Sequence, residues 1–479
     1  MKPEDILDAI GETDDSIIEA SDLPPKATMH RKKTAWISAI AAMLVLSLVL
    51  GGFLLPDKQT PFSAYALAEA KYPTDIPYPT VNEDSNDFYP QLIEWRKHNY
   101  DRQETFNKLG VNIDDYLYRS IGEFLSANQG ENVVFSPLNV YIALAMLAEV
   151  TDNNSRQQIL DVLGCNSIET LRKEASALWK ANYSDDGFVT SVLASSVWLS
   201  DEYTYIKETL QKLADIYYAS SFSGNMGSNE YNQELQTWLN EQTGGLLKDS
   251  ADKIEMTQET IMALATTIYY KAAWADKFSK DGTEKGIFQT PNGEVSCDFM
   301  KQSLMDIYYS GEKFTAVRKA LGSGDHSAMW LVLPNEGISP EELLTNEEAM
   351  SFLTTNQKWK NANESIIHLS VPKFDVSSYL DLREGMKHLG ITDVFDPARS
   401  DFSPMTGDRN DIFVSQANHS ARVTIDEEGC TATAFTVLAM DGAGCPSNEL
   451  TLTFDRPFLF VITSDVGLPL FVGTVNQPN

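Results

Sequence analysis

The most informative chemistry in this chain lies in residues 424–434, which read TIDEEGCTATA. The stretch begins with β-branched residues, carries an acidic run, turns at Gly429 and continues through small side chains. Successive side chains of a strand point to opposite faces of a sheet, so small residues at alternate positions let a strand slide between two others. An apolar block, 454–462, follows about twenty residues later. A segment that is exposed yet suited to burial indicates a chain with two folded states.

Recognisable patterns for catalysis or metal binding are absent from the sequence. There is no G-x-S-x-G elbow, no H-E-x-x-H pair, no phosphate-binding loop and no C-x-x-C pair. No His, Cys and Asp residues are spaced as metal ligands. The histidines beyond residue 55 are His98, His326, His368, His388 and His419. We therefore expect no enzyme activity, no metal and no cofactor.

Several blocks across the C-terminal three quarters of the chain resemble, in order, those of the serpin family. Each block alone is weakly specific, whereas the ordered set from about Val111 to Asn479 is strongly specific. The stretch 424–434 resembles the hinge of the serpin reactive-centre loop. The other blocks are 132–146, 238–246, 267–274 with Phe278, 371–374, 389–395 and 401–403.

The resemblance implies an α+β serpin fold with three β-sheets, about nine helices and an exposed reactive-centre loop. In that family a serine protease attacks the loop as a substrate and forms an acyl-enzyme. The cut loop then enters the main sheet as an extra strand and carries the protease with it. The implied function is a suicide-substrate inhibitor of extracellular serine proteases that ends as a covalent acyl-enzyme complex. A non-inhibitory, serpin-fold surface binding protein is the alternative.

The composition of the implied hinge favours the inhibitor. Residues that enter a sheet interior must be small or apolar, and neither charged nor proline. Cys430 departs from the family's usual Thr or Ser, and Phe435 from its usual Ala. Cys430 is small enough to insert, and Phe435 falls on the outer face, where bulk is tolerated. The hinge residues are Glu427, Glu428, Gly429, Cys430, Thr431, Ala432, Thr433 and Ala434.

The family's count from the hinge glutamate, which matches Glu427, places the cleaved bond between Ala443 and Gly444. Alanine fits a shallow pocket, so elastase-like or subtilisin-like proteases are the expected targets. Because loop length varies in the family, the bond between Met440 and Asp441 is the second choice, which suits chymotrypsin-like or elastase-like enzymes. The loop region contains no Arg or Lys, which disfavours trypsin-like enzymes.

The resemblance also implies a polar cluster beneath the sheet that opens. Ser136, Asn139 and His419 match this cluster, and a buried His with hydroxyl and amide partners can pin two strands reversibly. Thr266 stands where the family usually has Asn, so the network is altered. Trp274 matches a large residue at the top of the sheet where insertion begins, and ordinary core packing is the alternative for it.

Four cysteines allow three full disulfide pairings. A bridge between Cys430 and Cys445 would close the loop on itself and block strand formation. We expect free thiols in the active protein, with a redox gate as the alternative.

Composition indicates a large acidic body. The chain of 479 residues is 43% hydrophobic and 10% aromatic, which is enough to fill a sizeable core. Its net charge of −31 argues against DNA or RNA as a partner, because phosphate backbones require Lys and Arg. The charge is explained more simply by solubility outside the cell. We expect a monomer.

The N-terminal region is organised differently. Residues 1–33 form an acidic tail that ends in the basic run 30–33, and residues 34–55 carry no charge. An apolar helix of about 22 residues spans about 33 Å, enough to cross a bilayer. The basic run places residues 1–33 in the cytoplasm, so we expect a single-pass anchor in a bacterial-type cell membrane. A cleaved signal peptide is the alternative.

The residues that follow the expected anchor are rich in proline. Residues 56–102 hold six prolines and scattered acidic residues, a composition that favours extended backbone. We therefore expect 56–102 to be a tether and 103–479 to be a serpin domain displayed on the extracellular side.

Overall fold

The computed structural model describes most of the chain from residue 64 onwards. The expected tail 1–33, the expected membrane span 34–55 and nearly all of the reactive loop fall outside the described ranges. Across these ranges, no helix combines the length and apolar character needed to cross a membrane. The described residues are 64–79, 88–126, 130–245, 255–322, 327–355, 362–407, 412–430 and 448–478.

Eleven α-helices form within the described ranges, and two of them have only four residues. The resemblance implied about nine helices, and nine of these eleven have seven residues or more. The helices are α1 (Phe88–Leu109), α2 (Asp114–Ser126), α3 (Pro137–Val150), α4 (Asn153–Leu163), α5 (Ile168–Asn182), α6 (Lys207–Tyr217), α7 (Asn229–Gln242), α8 (Pro340–Leu343), α9 (Glu347–Thr354), α10 (Arg383–Leu389) and α11 (Ser403–Thr406).

Seventeen strands are described, and they form two hydrogen-bonded sheets. The strands are β1 (Ala66–Ala68), β2 (Val133–Phe135), β3 (Ser184–Asp185), β4 (Val189–Ser200), β5 (Ala219–Gly224), β6 (Met262–Ala273), β7 (Glu284–Thr290), β8 (Gly293–Ser310), β9 (Phe314–Ala320), β10 (Ala328–Pro334), β11 (Asn363–Pro372), β12 (Phe374–Asp381), β13 (Asn418–Ile425), β14 (Gly429–Cys430), β15 (Glu449–Thr453), β16 (Phe458–Thr463) and β17 (Pro469–Val475).

The first sheet has eight strands in the order β1-β5-β4-β6-β14-β13-β12, with β3 paired to β4. Its long strands β4 and β6 are antiparallel and pair along almost their whole length. Helix α7 packs on one face of this sheet, where Leu235 and Trp238 share a buried cluster with Trp198 of β4 and Ala265 of β6. The helix therefore covers the sheet near its centre.

The second sheet has nine strands in the order β15-β11-β8-β9-β10-β16-β17-β2, with β7 paired to β8. The expectation of three sheets is corrected, because the described residues form two hydrogen-bonded networks. The cause is the 18-residue strand β8. It pairs with β7 and then with β11, and its last residues, 308–310, pair with β9. One long strand thus joins what would otherwise be two sheets.

Helix α3 lies at the centre of the core and contacts β6 of the first sheet and β17 of the second. It starts at Pro137, a position where a missing backbone N–H costs nothing. Thirteen of its residues are buried, as expected for a helix that is apolar on almost every side. The buried Glu149 carboxylate accepts two hydrogen bonds from Arg172, at 2.8 and 2.7 Å. This burial explains the apolar composition of the block 132–146.

The expected tether 56–102 is corrected wherever the structure describes it. Strand β1 pairs with β5 and extends the first sheet, and α1 runs across the expected boundary at residue 103. The Tyr72 ring packs on Trp179 with centroids 5.4 Å apart. Trp95 donates its indole N–H to Asp186 at 2.9 Å. Aromatic side chains that alternate with the prolines bury enough surface to pack this segment on the body.

Replacing Trp95 tests this packing. Trp95→Ala should lower the stability of the body by about 3 kcal/mol, because it opens a cavity and leaves the buried Asp186 carboxylate without the indole donor. Tyr89→Ala is the control on the same helix, since Tyr89 is 75% exposed. Thermal unfolding followed by circular dichroism measures both variants, and equal midpoints for the parent and Trp95→Ala would support a tether.

Candidate functional site: the hinge and slot of the first sheet

A tight turn after β13 reverses the chain at the start of the hinge. The Asp426 carboxylate accepts hydrogen bonds from the backbone N–H groups of Glu428 and Gly429, at 2.8 and 3.2 Å. The Asp426 N–H donates in turn to the Gly429 carbonyl at 3.1 Å. An aspartate that bonds the backbone two or three residues ahead fixes such a turn locally. The chain after Gly429 is thereby returned to the sheet beside β13.

The two residues of β14 already lie between β6 and β13. Cys430 pairs with Ile425 on one side and with Ala272 on the other, and both pairings are antiparallel. Gly429 pairs with Ala273, and a Cβ at Gly429 would come within 2.4 Å of the Ala272 carbonyl oxygen. Glycine alone permits this close approach. The described hinge therefore begins as a strand of the sheet.

Beyond β14, strands β6 and β13 share no ladder within the described residues, so a slot separates them. The two strands run parallel, because each pairs antiparallel with β14. Ala272 and Ile425 lie at one level, and six residues along each strand bring Thr266 and His419 to another common level. A cavity of about 40 Å³ lies here, lined by Thr266 and Ser420 and by residues of α7. Cα atoms of β6 and β13 come within 8 Å of each other, so the two strands must move apart before a longer strand can pair between them.

The Glu427 side chain contacts two residues that adjoin strands of the second sheet. Lys373 directly follows β11, and Thr283 directly precedes β7. The Glu427 carboxylate lies 2.7 Å from Lys373 Nζ and accepts a hydrogen bond from Thr283 Oγ1 at 2.7 Å. Burial disfavours the charge on Glu427, but the hydrogen bonds from Lys373 and Thr283 outweigh burial and hold its pKa below the usual value. The Glu427 carbonyl accepts a further bond from the Phe278 N–H at 3.1 Å. Both the side chain and the backbone of Glu427 are therefore fixed.

Glu428 is held by two lysines of the segment that follows β6. Its carboxylate oxygens lie 2.8 Å from Lys277 Nζ and 3.3 Å from Lys280 Nζ. Hydrogen bonds from these lysines lower the pKa of Glu428. Both hinge carboxylates are thus ionised and paired at the mouth of the slot, and neither lies within it.

Trp274 closes the upper end of the slot. Its backbone N–H donates to the Glu428 carbonyl at 3.0 Å, and its indole N–H donates to the Asp426 carbonyl at 2.8 Å. The indole stands edge-on to the Phe278 ring, with centroids 6.0 Å apart. Lys319 Nζ lies 4.6 Å from the Phe278 centroid, and burial lowers the pKa of Lys319 to about 8. This buried platform positions the turn that starts the hinge.

His419 and Ser136 form a buried contact at the lower level of the slot, next to Asn139. The Ser136 backbone N–H donates to His419 Nε2 at 3.0 Å, which leaves the proton of the neutral imidazole on Nδ1. Phe135 packs edge-on to the imidazole with centroids 5.5 Å apart. Burial lowers the pKa of His419 to about 4, so the ring is neutral at pH 7.

Several buried polar atoms around this level have no hydrogen-bond partner among the described residues. Each buried donor or acceptor without a partner costs about 1–3 kcal/mol. A strand that enters the slot brings new polar groups to this level and can lower that cost. The atoms are Ser136 Oγ, both side-chain amide atoms of Asn139, Thr267 Oγ1, His419 Nδ1 and Ser420 Oγ.

The sheet-opening residues chosen from the sequence occupy two places. Trp274 lies at the upper end of the slot with Glu427, Glu428, Gly429 and Cys430, while Ser136, Asn139, Thr266 and His419 lie at the lower level. Eight residues of strand, about 26 Å, separate Thr266 from Trp274, in keeping with the separate places that the resemblance implies for the polar cluster and for Trp274. Outside the described residues lie Thr431, Ala432, Thr433, Ala434, Met440, Asp441, Ala443 and Gly444.

Sequence reasoning missed the partners of the hinge carboxylates. Lys373 belongs to the block 371–374, but nothing in that block indicated that its side chain pairs with the hinge. Lys277, Lys280 and Thr283 belong to no motif, and only the fold brings them to the hinge. One signal was readable, because an aspartate three residues before a glycine, as in Asp426, is typical of a tight turn.

Cys430 is 2% exposed, and burial raises the pKa of its thiol to about 12. A buried thiol of this kind is inert toward oxidants and electrophiles. Cys165, Cys297 and Cys430 are free in the described part of the chain. Cys445 lies outside that part, so the absence of a bridge between Cys430 and Cys445 stays a prediction.

Acid should destabilise the protein through His419. Its folded-state pKa of about 4 lies below its ordinary value of 6.5. The contribution of neutral His419 is therefore complete above pH 6.5 and is lost as the pH falls towards 4, by up to about 3 kcal/mol. His419→Gln should flatten the thermal midpoint profile between pH 6.5 and 4, whereas the exposed control His388→Gln should keep the parent slope. A parent profile without a slope in that range would contradict the burial argument.

Comparison with known sequences identifies relatives along most of the chain. A family model described as Serpin (serine protease inhibitor) matches residues 114–478. Human antithrombin-III is 26% identical over 365 residues, which cover 74% of this chain and 78% of that protein. Mouse alpha-1-antitrypsin 1-4 is 27% identical over 387 residues, which cover 79% of this chain and 91% of that protein.

Solved structures show the same architecture. The thermophilic serpin tengpin in its native state has a TM-score of 0.68 and 25% identity, with 85% of this chain and 97% of tengpin covered. Human thyroxine-binding globulin has a TM-score of 0.67 and 22% identity, with 78% and 100% covered, a likeness that shows the fold alone. Because the family model spans about three quarters of the sequence, the chain belongs to the serpin family of serine protease inhibitors.

Proposed function

We propose that this protein is a suicide-substrate inhibitor of extracellular serine proteases of the elastase-like or subtilisin-like class. The observation that carries the proposal is the position of β14, since the hinge enters between β6 and β13 while the slot continues beyond it. A non-inhibitory surface binding protein is the alternative, because the same fold serves a thyroxine-binding protein.

The proposed reaction starts at the bond between Ala443 and Gly444, with Met440–Asp441 as the second choice. The protease serine oxygen attacks the Ala443 carbonyl carbon, the bond to the Gly444 nitrogen breaks, and the protease histidine protonates the leaving amine. Ala443 is then an ester of the protease serine. Residues 444–479 stay with the body, because β15, β16 and β17 belong to the second sheet. The segment upstream of the cut is released to extend β14.

Extension of β14 gives the loop a strand antiparallel to both of its neighbours. Cys430 pairs with the fully buried Ala272, so Ala432 and Ala434 follow Cys430 on the face that points into the core. Phe435 falls on the opposite face, towards α7. Each ladder hydrogen bond adds about 1 kcal/mol net, and no inserting side chain between Cys430 and Phe435 is charged.

The same register brings Thr436 to the buried polar atoms of the slot. Cys430 is level with Ile425, so six residues along each strand place Thr436 beside Thr266 and His419. The separation from Cys430 is even, so the Thr436 side chain points to the core face. A hydroxyl there both donates and accepts, which suits a cluster that lacks partners for donors and acceptors alike.

Thr436→Val should therefore lower the free energy of unfolding of the loop-cleaved protein and leave that of the uncleaved protein unchanged. The guanidinium midpoint of the loop-cleaved variant should fall by the equivalent of about 1–3 kcal/mol relative to the cleaved parent. Thr433→Val is the matched control, because Thr433 falls on the opposite face of the inserted strand. Identical midpoints for the cleaved parent and cleaved Thr436→Val would contradict the proposed register.

Incubation with pancreatic elastase tests the inhibitory function. We expect a covalent, SDS-stable complex of higher mass for the parent, and cleaved protein without that complex for Ala432→Arg, because insertion would bury the arginine. Ser447→Arg is the control, since Ser447 follows the cut and does not enter the slot. Clean cleavage of the parent with no covalent complex would favour the non-inhibitory alternative.

We also propose that residues 34–55 anchor the protein in a bacterial-type cell membrane, with residues 1–33 in the cytoplasm and a monomeric body outside. The support is the uncharged run and the basic residues before it. Alkaline carbonate extraction of membranes checks the anchor, because a spanning chain stays in the pellet and a chain released into the supernatant does not span.

A further inference from the structure

Helix α1 exposes large apolar side chains that no described residue covers. Tyr89, Ile93 and Tyr100 are 75%, 67% and 63% exposed, whereas Trp95 and Phe106 are the buried residues of the helix. Residues four, seven and eleven positions apart lie on one face of an α-helix, so the three exposed side chains form a single stripe. The helix therefore packs one apolar side on the body and presents a second one to solvent.

Two basic residues lie within the same stripe. Arg96 and Lys97 follow Ile93 by three and four positions, and both are exposed. Neither forms an ion pair within the part of the chain that the structure describes. The exposed carboxylates of Glu94 and Asp101 fall about a quarter turn to one side of the stripe. The solvent face of α1 thus combines apolar area with two positive charges that have no partner there.

This combination is typical of a helix that lies in a membrane interface. Tyrosine is enriched where a bilayer meets water, because its ring is apolar and its hydroxyl is polar. Arg and Lys bury their apolar stems while their charged ends reach the lipid phosphates. The stripe therefore suits the surface of an anionic bilayer. We call it the outer stripe, and it consists of Tyr89, Ile93, Arg96, Lys97 and Tyr100.

Charge argues against a second copy of this chain as the occupant. A two-fold dimer through the outer stripe would bring Arg96 and Lys97, which lie near its middle, close to the same two residues of the other copy. The net charge of −31 repels an anionic bilayer from the molecule as a whole. Salt screens exposed charges beyond about 10 Å, however, so the charges nearest the lipid decide whether the helix binds.

The proposed anchor brings a bilayer within reach of the body. Residues 55 and 65 are ten positions apart, which limits their separation to about 36 Å. Tyr65 already belongs to the body, because its carbonyl accepts a hydrogen bond from the Ser223 N–H at 2.8 Å. A tethered surface is present at a high effective concentration, so even a weak contact with it is populated.

We propose that the outer stripe of α1 docks on the outer leaflet of the membrane that holds residues 34–55, an inference that rests on the proposed anchor. Helix α1 precedes the residues 114–478 that match the family model, so this surface belongs to the N-terminal extension of the chain. Docking through α1 gives the body a second attachment to the bilayer. The two attachments together fix which side of the body faces the lipid.

Photo-crosslinking to lipid tests the docking. The full chain is reconstituted in vesicles of phosphatidylglycerol and phosphatidylcholine, with the photoreactive p-benzoylphenylalanine in place of Tyr100. The same replacement of Tyr379 is the matched control, because Tyr379 is 43% exposed on β12, at the opposite edge of the first sheet from β1. We expect at least tenfold more lipid adduct from position 100 than from position 379, measured by intact-mass spectrometry.

Reversing the two charges separates docking from mere proximity. Arg96→Glu with Lys97→Glu, in the protein that carries the photoreactive residue at position 100, should lower the adduct yield at least fivefold. Vesicles of phosphatidylcholine alone should lower it as well. Lys285→Glu with Lys301→Glu is the control for net charge, since both lysines are exposed on the second sheet, and it should change the yield less than twofold.

Equal adduct yields from positions 100 and 379, or adducts to a second protein chain in place of lipid, would overturn the proposal. Replacing Tyr89, at the other end of the outer stripe, keeps the test decisive if the change at Tyr100 disturbs α1. Carbonate extraction separates the two ideas. A chain that stays in the pellet without excess adduct fails this inference alone, whereas a chain that is released fails the anchor and this inference with it.

Discussion

The physical constraint on which the structure depends is the missing ladder between β6 and β13 in the described part of the first sheet. Central strands normally pair along both edges, because buried backbone N–H and C=O groups without partners are costly. Among the described residues, the two of β14 lie in this gap, at one end of it. A longer strand would pair on both of its edges at once. The free energy of that pairing is what separates the two states that the proposed inhibition requires.

The charges at the mouth of the slot define where an inserted strand begins. Glu427 and Glu428 are ionised and paired before the chain reaches Gly429, so neither has to be desolvated further when the loop enters. Strand register then follows from Gly429, the residue that fits closely against the Ala272 carbonyl. A slip of one residue would turn Thr431, Thr433 and Phe435 towards the core, and Cys430, Ala432 and Ala434 away from it. The ion pairs hold the residues just before Gly429 in place. They therefore help to set the register of an inserted strand, and the register decides which face of the sheet each loop side chain occupies.

The sequence alone predicted those parts of the site whose residues are close neighbours along the chain. The buried block around Asn139 and the small residues after Gly429 are visible as patterns, because burial and alternation leave compositional marks. The lysine partners of the hinge are not visible, since Lys373 lies 54 residues before Glu427 and only the fold joins them. The tether prediction was wrong for the described residues, because the partly buried ring of Tyr72 and the buried ring of Trp95 pack this segment on the body despite its prolines. The number of sheets depended on the length of β8, which has no sequence signature.

The altered polar cluster is one source of the free energy that the proposed insertion would release. Thr266 stands where the family usually has Asn, so this level of the slot has a hydroxyl in place of an amide with two donors and one acceptor. His419 keeps a proton on Nδ1 that no described residue accepts. Because its pKa is about 4, the ring stays neutral, and its need for an acceptor is the same from pH 5 upwards. In the proposed mechanism, a strand that carries a hydroxyl group into the slot meets this need, whereas a change of pH above 5 does not. The proposal therefore requires cleavage of the loop to release this part of the free energy.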